Sequence, residues 1–199
     1  MKRILFGHPL SGNTHRVRLL LSMLNLPYEE VPVDIPGGEH KKPEFLKVNT
    51  LGQVPVLVEG EAKIHDSHAI MIYLAAKYGA NEWFPKDPME LAKVVQWMSF
   101  SSNEVQNSTN LARLHFLLGV PVDLPAVQAK GQTVLGIVNQ HLQDRQWLEL
   151  NRPTIADLAV FPYLALAEEG KVSLQPYKNV QAWIERIKAL PGYVSMPGL

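Results

Sequence analysis

The feature that most constrains this 199-residue chain is a change of period near residue 88. Before it, short apolar runs alternate with dense Gly, Pro, Asn and Asp punctuation, the pattern of strands and short helices. After it, apolar residues recur only at helical spacing. A chain built this way cannot be one sheet or one bundle. It reads as a small α/β domain over 1–80, a linker over 81–87 with few apolar periodic positions, and an all-helical domain over 88–199.

Arg3 to Phe6 reads as a buried strand, and Gly7-His8-Pro9-Leu10-Ser11-Gly12-Asn13 as a turn-forming loop. A helix follows through Val17, Leu19, Leu20, Leu21, Met23 and Leu24, with Asn13 or Thr14 as its N-cap, ending before Pro27 and beyond Asn25. Tyr28 to Val33 forms the next strand, completing a βαβ unit. A polar loop then leads into a short helix over Pro43 to Val48. Val56-Leu57-Val58 and Ala62-Lys63-Ile64 flank Glu59-Gly60-Glu61 as a hairpin, and Asp66 caps a helix with its carboxylate at the positive end. The helical half comprises a long helix from about Pro88 to Leu118, a second from Pro125 to Leu142, a third from Pro153 to Glu169 and a fourth from Val180 to Leu190. Thr154 and Asp157 are spaced as a capping box with Asp in place of Glu.

Lys plus Arg equals Asp plus Glu at 19 each, so the chain lacks the basic excess of a nucleic-acid binder. It has no cysteine, which excludes disulfides, thiolate zinc sites and a cysteine nucleophile. No run approaches the roughly 18 apolar residues of a membrane span, and the N-terminal apolar run is too short for a signal peptide. These readings point to a cytoplasmic protein without nucleic-acid or membrane partners and without a metal.

Leu51-Gly52-Gln53-Val54-Pro55-Val56-Leu57 brings a proline to the first position of a strand, where its missing N–H costs no ladder bond. Pro55 biases Val54 toward extended backbone, whose N–H and C=O can serve a peptide-like ligand as an added strand. With Gly7-His8-Pro9-Leu10-Ser11, Gly38-Glu39-His40-Lys41-Lys42-Pro43-Glu44-Phe45-Leu46, Asp66-Ser67-His68-Ala69-Ile70 and Arg152-Pro153-Thr154-Ile155-Ala156-Asp157 in that order, the chain resembles the soluble glutathione S-transferases. Its motifs are similar to those of serine-type, phi-like and bacterial members. The resemblance implies a thioredoxin-like N-terminal domain (βαβ-ββα) joined to an all-α helical C-terminal domain, with a cis Pro55.

The resemblance further implies a homodimeric enzyme joining the glutathione thiolate to a small hydrophobic electrophile, with glutathione as co-substrate. The alternative is a glutathione- or ligand-binding protein of the same fold with little turnover. Only a thiolate attacks efficiently, and a hydroxyl aimed at sulfur beside a helix N-terminus favours that form. Ser11 is the candidate donor and Asn13 its rival; each is also a capping residue type. Asp66 and Ser67 suit the γ-glutamyl ammonium and carboxylate, and the Val54 backbone beside Pro55 suits the cysteinyl unit. Gln53 suits the peptide backbone, and Lys41 with His40 the glycyl carboxylate, although His40-Lys41-Lys42 also reads as a solvated charge run. Leu10, Ile35, Asn107, Leu111 and His115 are candidates to line the electrophile pocket, His115 better read as core. Glu104 is a candidate to reach across a dimer.

Overall fold

The structure is a computed structural model that describes residues 2–79 and 81–199. Met1 and Ala80, the latter at the expected domain boundary, lie outside the described residues. The chain divides into two compact units: residues up to 80 with Pro191–Pro197, and Asn81–Leu190 with Gly198–Leu199.

The first unit holds β1 (Arg3–Gly7), α1 (Gly12–Met23), β2 (Glu29–Pro32), α2 (Pro43–Leu46), β3 (Val56–Glu59), β4 (Ala62–His65) and α3 (Ser67–Tyr78). The strands form one mixed sheet in the order β2-β1-β3-β4. β2 runs parallel to β1, while β3 is antiparallel to both β1 and β4. This is the thioredoxin-like order expected. Pro32 closes β2, and β2 is an edge strand, where a missing N–H is tolerated. α1 and α3 pack on each other, burying Val17, Leu19, Leu20 and Leu21 from one and Ile70, Met71 and Leu74 from the other.

Local boundaries differ from the expectation in two instructive ways. The N-cap of α1 is Ser11, not Asn13 or Thr14: the Thr14 amide donates to Ser11 Oγ at 3.1 Å, and Gly12 already lies inside the helix. The same helix stops at Met23, short of Asn25, because Asn25 takes a left-handed backbone at φ 51°. At its far end the sheet is held by Glu59. Its buried carboxylate forms an ion pair with Arg3, Nε lying 2.6 Å from Oε1, and accepts hydrogen bonds from Lys77 Nζ at 2.7 Å, Tyr78 OH at 2.7 Å and Tyr73 OH.

The second unit is helical: α4 (Pro88–Phe100), α5 (Leu111–Leu118), α6 (Leu124–His141), α7 (Ile155–Ala165) and α8 (Lys178–Lys188). The long helix expected from 88 to 118 keeps a helical path but is not uniform. Between α4 and α5 the ten residues Ser101–Asn110 form wide π-helical turns, with Asn107 outside helical geometry at φ −93°, ψ 21°. Two hydroxyls in this segment return to carbonyls four residues back, Ser108 to Glu104 at 2.6 Å and Thr109 to Val105 at 3.4 Å, competing with the backbone N–H for those acceptors. The third expected helix is shorter, ending at Ala165 before a 3-10 turn over Ala167–Gly170.

α7 is the central helix of this unit, with every residue from Ile155 to Leu164 buried. Its capping box is formed: Ala156 N–H donates to Thr154 Oγ1 at 3.2 Å and Thr154 N–H to Asp157 Oδ2 at 2.9 Å. Asp157 Oδ1 also accepts from Leu148 N–H and from Trp183 Nε1–H, each at 3.0 Å. Complete burial nevertheless pushes this carboxyl up to about 6, these three donors and the Thr154 hydroxyl, 3.4 Å from Oδ2, only partly offsetting it.

Candidate active site

The strand register decides where the candidate residues meet. β1 pairs Gly7 with Pro32 of β2, and Phe6 with Val56 of β3; Val56 in turn pairs with His65 of β4. The C-terminal ends of β1, β2 and β4 and the N-terminal start of β3 therefore lie at one end of the sheet. Four segments leave from that end: the loop through Ser11, the loop through His40 and Lys41, the loop through Gln53, Val54 and Pro55, and the Asp66-Ser67 start of α3. Residues spread over 57 positions, from Ser11 to Ser67, are thereby gathered at one rim. In α/β sheets ligands bind outside the carboxyl ends of strands, where such loops converge.

Ser11 sits half-buried between β1 and α1. Its N–H donates to His8 O at 3.0 Å, and its oxygen accepts from Thr14 N–H. A hydroxyl used as an acceptor in this way still has its own proton to donate. Asn13 lies half-buried in the first turn of α1.

The Val54–Pro55 peptide is cis. Pro55 is buried and immediately precedes β3, while Val54 is half-buried against the small cluster of Val33, Phe45 and Val56. Among the described residues, neither backbone group of Val54 has a hydrogen-bond partner. Asn49, 3% exposed, shapes this loop from beneath: its Nδ2 donates to Gln53 O at 2.8 Å and its Oδ1 accepts from Leu51 N–H at 3.0 Å. Gly52 has φ 59°, and a side chain there would meet His40 O at 2.7 Å, so the position demands glycine. Lys41 Nζ leans on the same loop, 3.4 Å from Leu51 O and 3.3 Å from Gly52 O. His40 occupies a 3-10 turn with its Nδ1 buried and, among the described residues, without a hydrogen-bond partner.

Asp66 has φ 73°, ψ 124°, a backbone conformation a non-glycine residue adopts at a cost, and such residues cluster at functional sites. One oxygen, Oδ1, accepts from His68 N–H and Ala69 N–H at 2.9 Å each, leaving Oδ2 outside the cap. Ser67 is 4% exposed, and its Oγ accepts from Arg16 Nη1 at 3.4 Å. The same nitrogen lies 2.6 Å from His68 Nε2.

Glu104 belongs to the other unit, in the wide turns, where it pairs with Lys130 at 3.0 Å and accepts from Asn103 at 2.7 Å. Asn107, Leu111 and His115 share that unit; His115 is half-buried rather than in the core, with its Nδ1 3.0 Å from Val120 O. Leu10 and Ile35 stay with the first unit, half-buried.

Sequence reasoning missed Asn49, Arg16 and His68 as parts of this site. Asn49 carried only a turn signal, and the other two meet across 52 positions. Among the described residues there is no group of three or more His, Asp or Glu arranged to hold a metal ion, and no helix is long and apolar enough to cross a membrane.

Residues 1–76 match the family model "Glutathione S-transferase, N-terminal domain", and residues 123–191 match "Glutathione S-transferase, C-terminal domain". Glutathione S-transferase 3 of Zea mays is 34% identical over 95% of this chain and 90% of its own length. The chain belongs to the glutathione S-transferase family. It is an enzyme of the glutathione S-transferase type. Solved structures agree with the fold of this transferase. A glutathione S-transferase from Pseudomonas fluorescens superposes with a TM-score of 0.92 at 30% identity, covering 99% of this chain and 100% of that one. A glutathione transferase homologue from Drosophila mojavensis, solved with bound glutathione, gives 0.87 at 33% identity, covering 96% and 89%.

Proposed function

We propose that this transferase holds glutathione along the sheet rim formed by its four loops, and that Ser11 stabilises the thiolate. The observation that carries the reading is the strand register, which gathers a hydroxyl, an unpaired backbone edge and a helix N-terminus at one end of the sheet. Each suits a different part of an anionic tripeptide. The Ser67 N–H and hydroxyl at the start of α3 suit the γ-glutamyl carboxylate, and Asp66 Oδ2 the ammonium. The Val54 N–H and C=O pair with the cysteinyl backbone as an added strand, behind which Pro55 is buried. Gln53 reaches the peptide backbone, and Lys41, with His40 beside it, receives the glycyl carboxylate.

This placement leaves the thiol facing the Ser11 loop. The thiol gives up its proton to solvent, and Ser11 donates its O–H to the sulfur anion while its oxygen keeps the Thr14 amide. The positive end of α1 adds to the stabilisation. The thiolate then attacks a hydrophobic electrophile, whose leaving group departs with the bonding pair. Asn13 is the competing donor. The enzyme works in this reading as a cytoplasmic homodimer of the serine-type, phi-like kind. For Glu104 to act across that dimer, its carboxylate must exchange Lys130 for the ligand.

Amide chemical shifts on adding glutathione test the binding mode. Shifts concentrated at Ser11, Gly52, Val54 and Ser67 support it; shifts confined to residues 88–190, or none at millimolar glutathione, refute it.

A further inference from the structure

We propose that Arg16 and His68 form a buried pair that positions Ser67 for the γ-glutamyl carboxylate; this rests on the assignment of Ser67 made above. Arg16 projects from α1 and is only 2% exposed. Its Nη1 meets two acceptors from α3, Ser67 Oγ at 3.4 Å and His68 Nε2 at 2.6 Å. A guanidinium has donors only, so His68 Nε2 must be the lone-pair side of a neutral ring with its proton on Nδ1. Burial, with the charge of Arg16 added, pushes His68 down to about 3, so the ring stays neutral wherever the enzyme works.

Three consequences follow for Ser67. Its oxygen accepts from Arg16, so its own proton is directed elsewhere and is a better donor for accepting. Asp66 Oδ1 takes the His68 and Ala69 amides, so the Ser67 N–H is the first-turn donor left for a ligand. Arg16, held at 2.6 Å by His68 beside Ser67 on α3, fixes the Ser67 hydroxyl at the start of that helix by hydrogen bonding from α1. Arg16 and His68 are positioning residues: they act on the ligand through Ser67.

The test compares glutathione with γ-aminobutyryl-cysteinylglycine, the same thiol lacking the γ-glutamyl carboxylate, using one aryl halide as electrophile. The parent should prefer glutathione through KM. His68→Leu, which removes the acceptor of Arg16, should lose about tenfold of that preference, the scale of one hydrogen bond to a charged group, with a smaller fall in kcat. His68→Gln, whose amide oxygen can accept from Arg16, should recover most of it. In the parent, the Arg16 side-chain nitrogen resonances should shift with glutathione and not with the analogue, a readout independent of how the variants fold. If His68→Leu weakens both thiols equally, or if Arg16 responds to both alike, the pair is only a clamp between helices and the proposal falls. A parent that does not distinguish the two thiols removes the γ-glutamyl assignment, and the proposal with it.

Discussion

Replacing Glu59 with Gln should cost about 3 kcal/mol of stability at neutral pH and leave the KM for glutathione unchanged. Glu59 is 3% exposed at the end of β3 opposite the site rim, in register with Arg3. Burial alone would raise its carboxyl, but hydrogen bonds from Lys77, Tyr73 and Tyr78 and the charge of Arg3 outweigh that and bring it from 4.5 down to about 2. At about 1.4 kcal/mol per factor of ten in proton affinity, that interval corresponds to about 3 kcal/mol favouring the folded, ionised state. The folded value lies below the unfolded one. The contribution is therefore complete above about pH 4.5 and is lost as pH falls toward 2. Gln cannot carry the charge and leaves buried Arg3 uncompensated, a loss of the same order. Equilibrium denaturation of parent and variant from pH 7 to 2.5 is the assay. The stability difference should be flat above pH 5 and shrink below 4.5. A difference independent of pH would show that the carboxylate charge is not what holds the strands, and a raised KM would show that this end of the sheet is not separate from the site.

Two further outcomes concern the supports of the fold and the loop. Asn49→Ala should raise the KM for glutathione and lower stability by about 1–3 kcal/mol, because the bonds from the buried Asn49 amide to the Gln53 carbonyl and the Leu51 N–H are lost together; steady-state kinetics and melting check both, and an unaltered KM removes Asn49 as the scaffold of the loop. Thr154→Ala should lower stability by about 0.5–2 kcal/mol with kcat and KM retained, and unchanged thermal unfolding would show that the capping box contributes nothing measurable.

Much of this architecture was legible because the punctuation was unambiguous. Asp66 is the first capping residue before an apolar run that starts at Ala69, and Thr154 and Asp157 have capping spacing before one, so both caps are legible where they form. The start of α1 was misread because Ser11, Asn13 and Thr14 are all capping residue types, while the apolar stripe begins only at Val17 and cannot say which of them starts the helix. The wide turns at Ser101–Asn110 were invisible because a π-helical insertion adds no Gly or Pro; the clustered Ser and Thr that bond back to carbonyls were the available signal. In the site, Pro55 and Ser67 announced themselves through local chemistry. Arg16 and His68 did not, since a charged residue on a helix and a histidine near another helix start look solvated until packing of α1 on α3 brings them to 2.6 Å.

The central claim is that Ser11, capping α1 with its oxygen, gives its proton to the sulfur of glutathione. The direct measurement is the ultraviolet thiolate titration of bound glutathione in the parent, Ser11→Ala and Asn13→Ala. The account predicts a thiol pKa in the parent complex well below the free value of about 8.5, raised by about one to two in Ser11→Ala, as the loss of a hydrogen bond to a charged group requires, and little changed in Asn13→Ala. An unshifted thiol in the parent, or a shift that survives in Ser11→Ala and vanishes in Asn13→Ala, would contradict it.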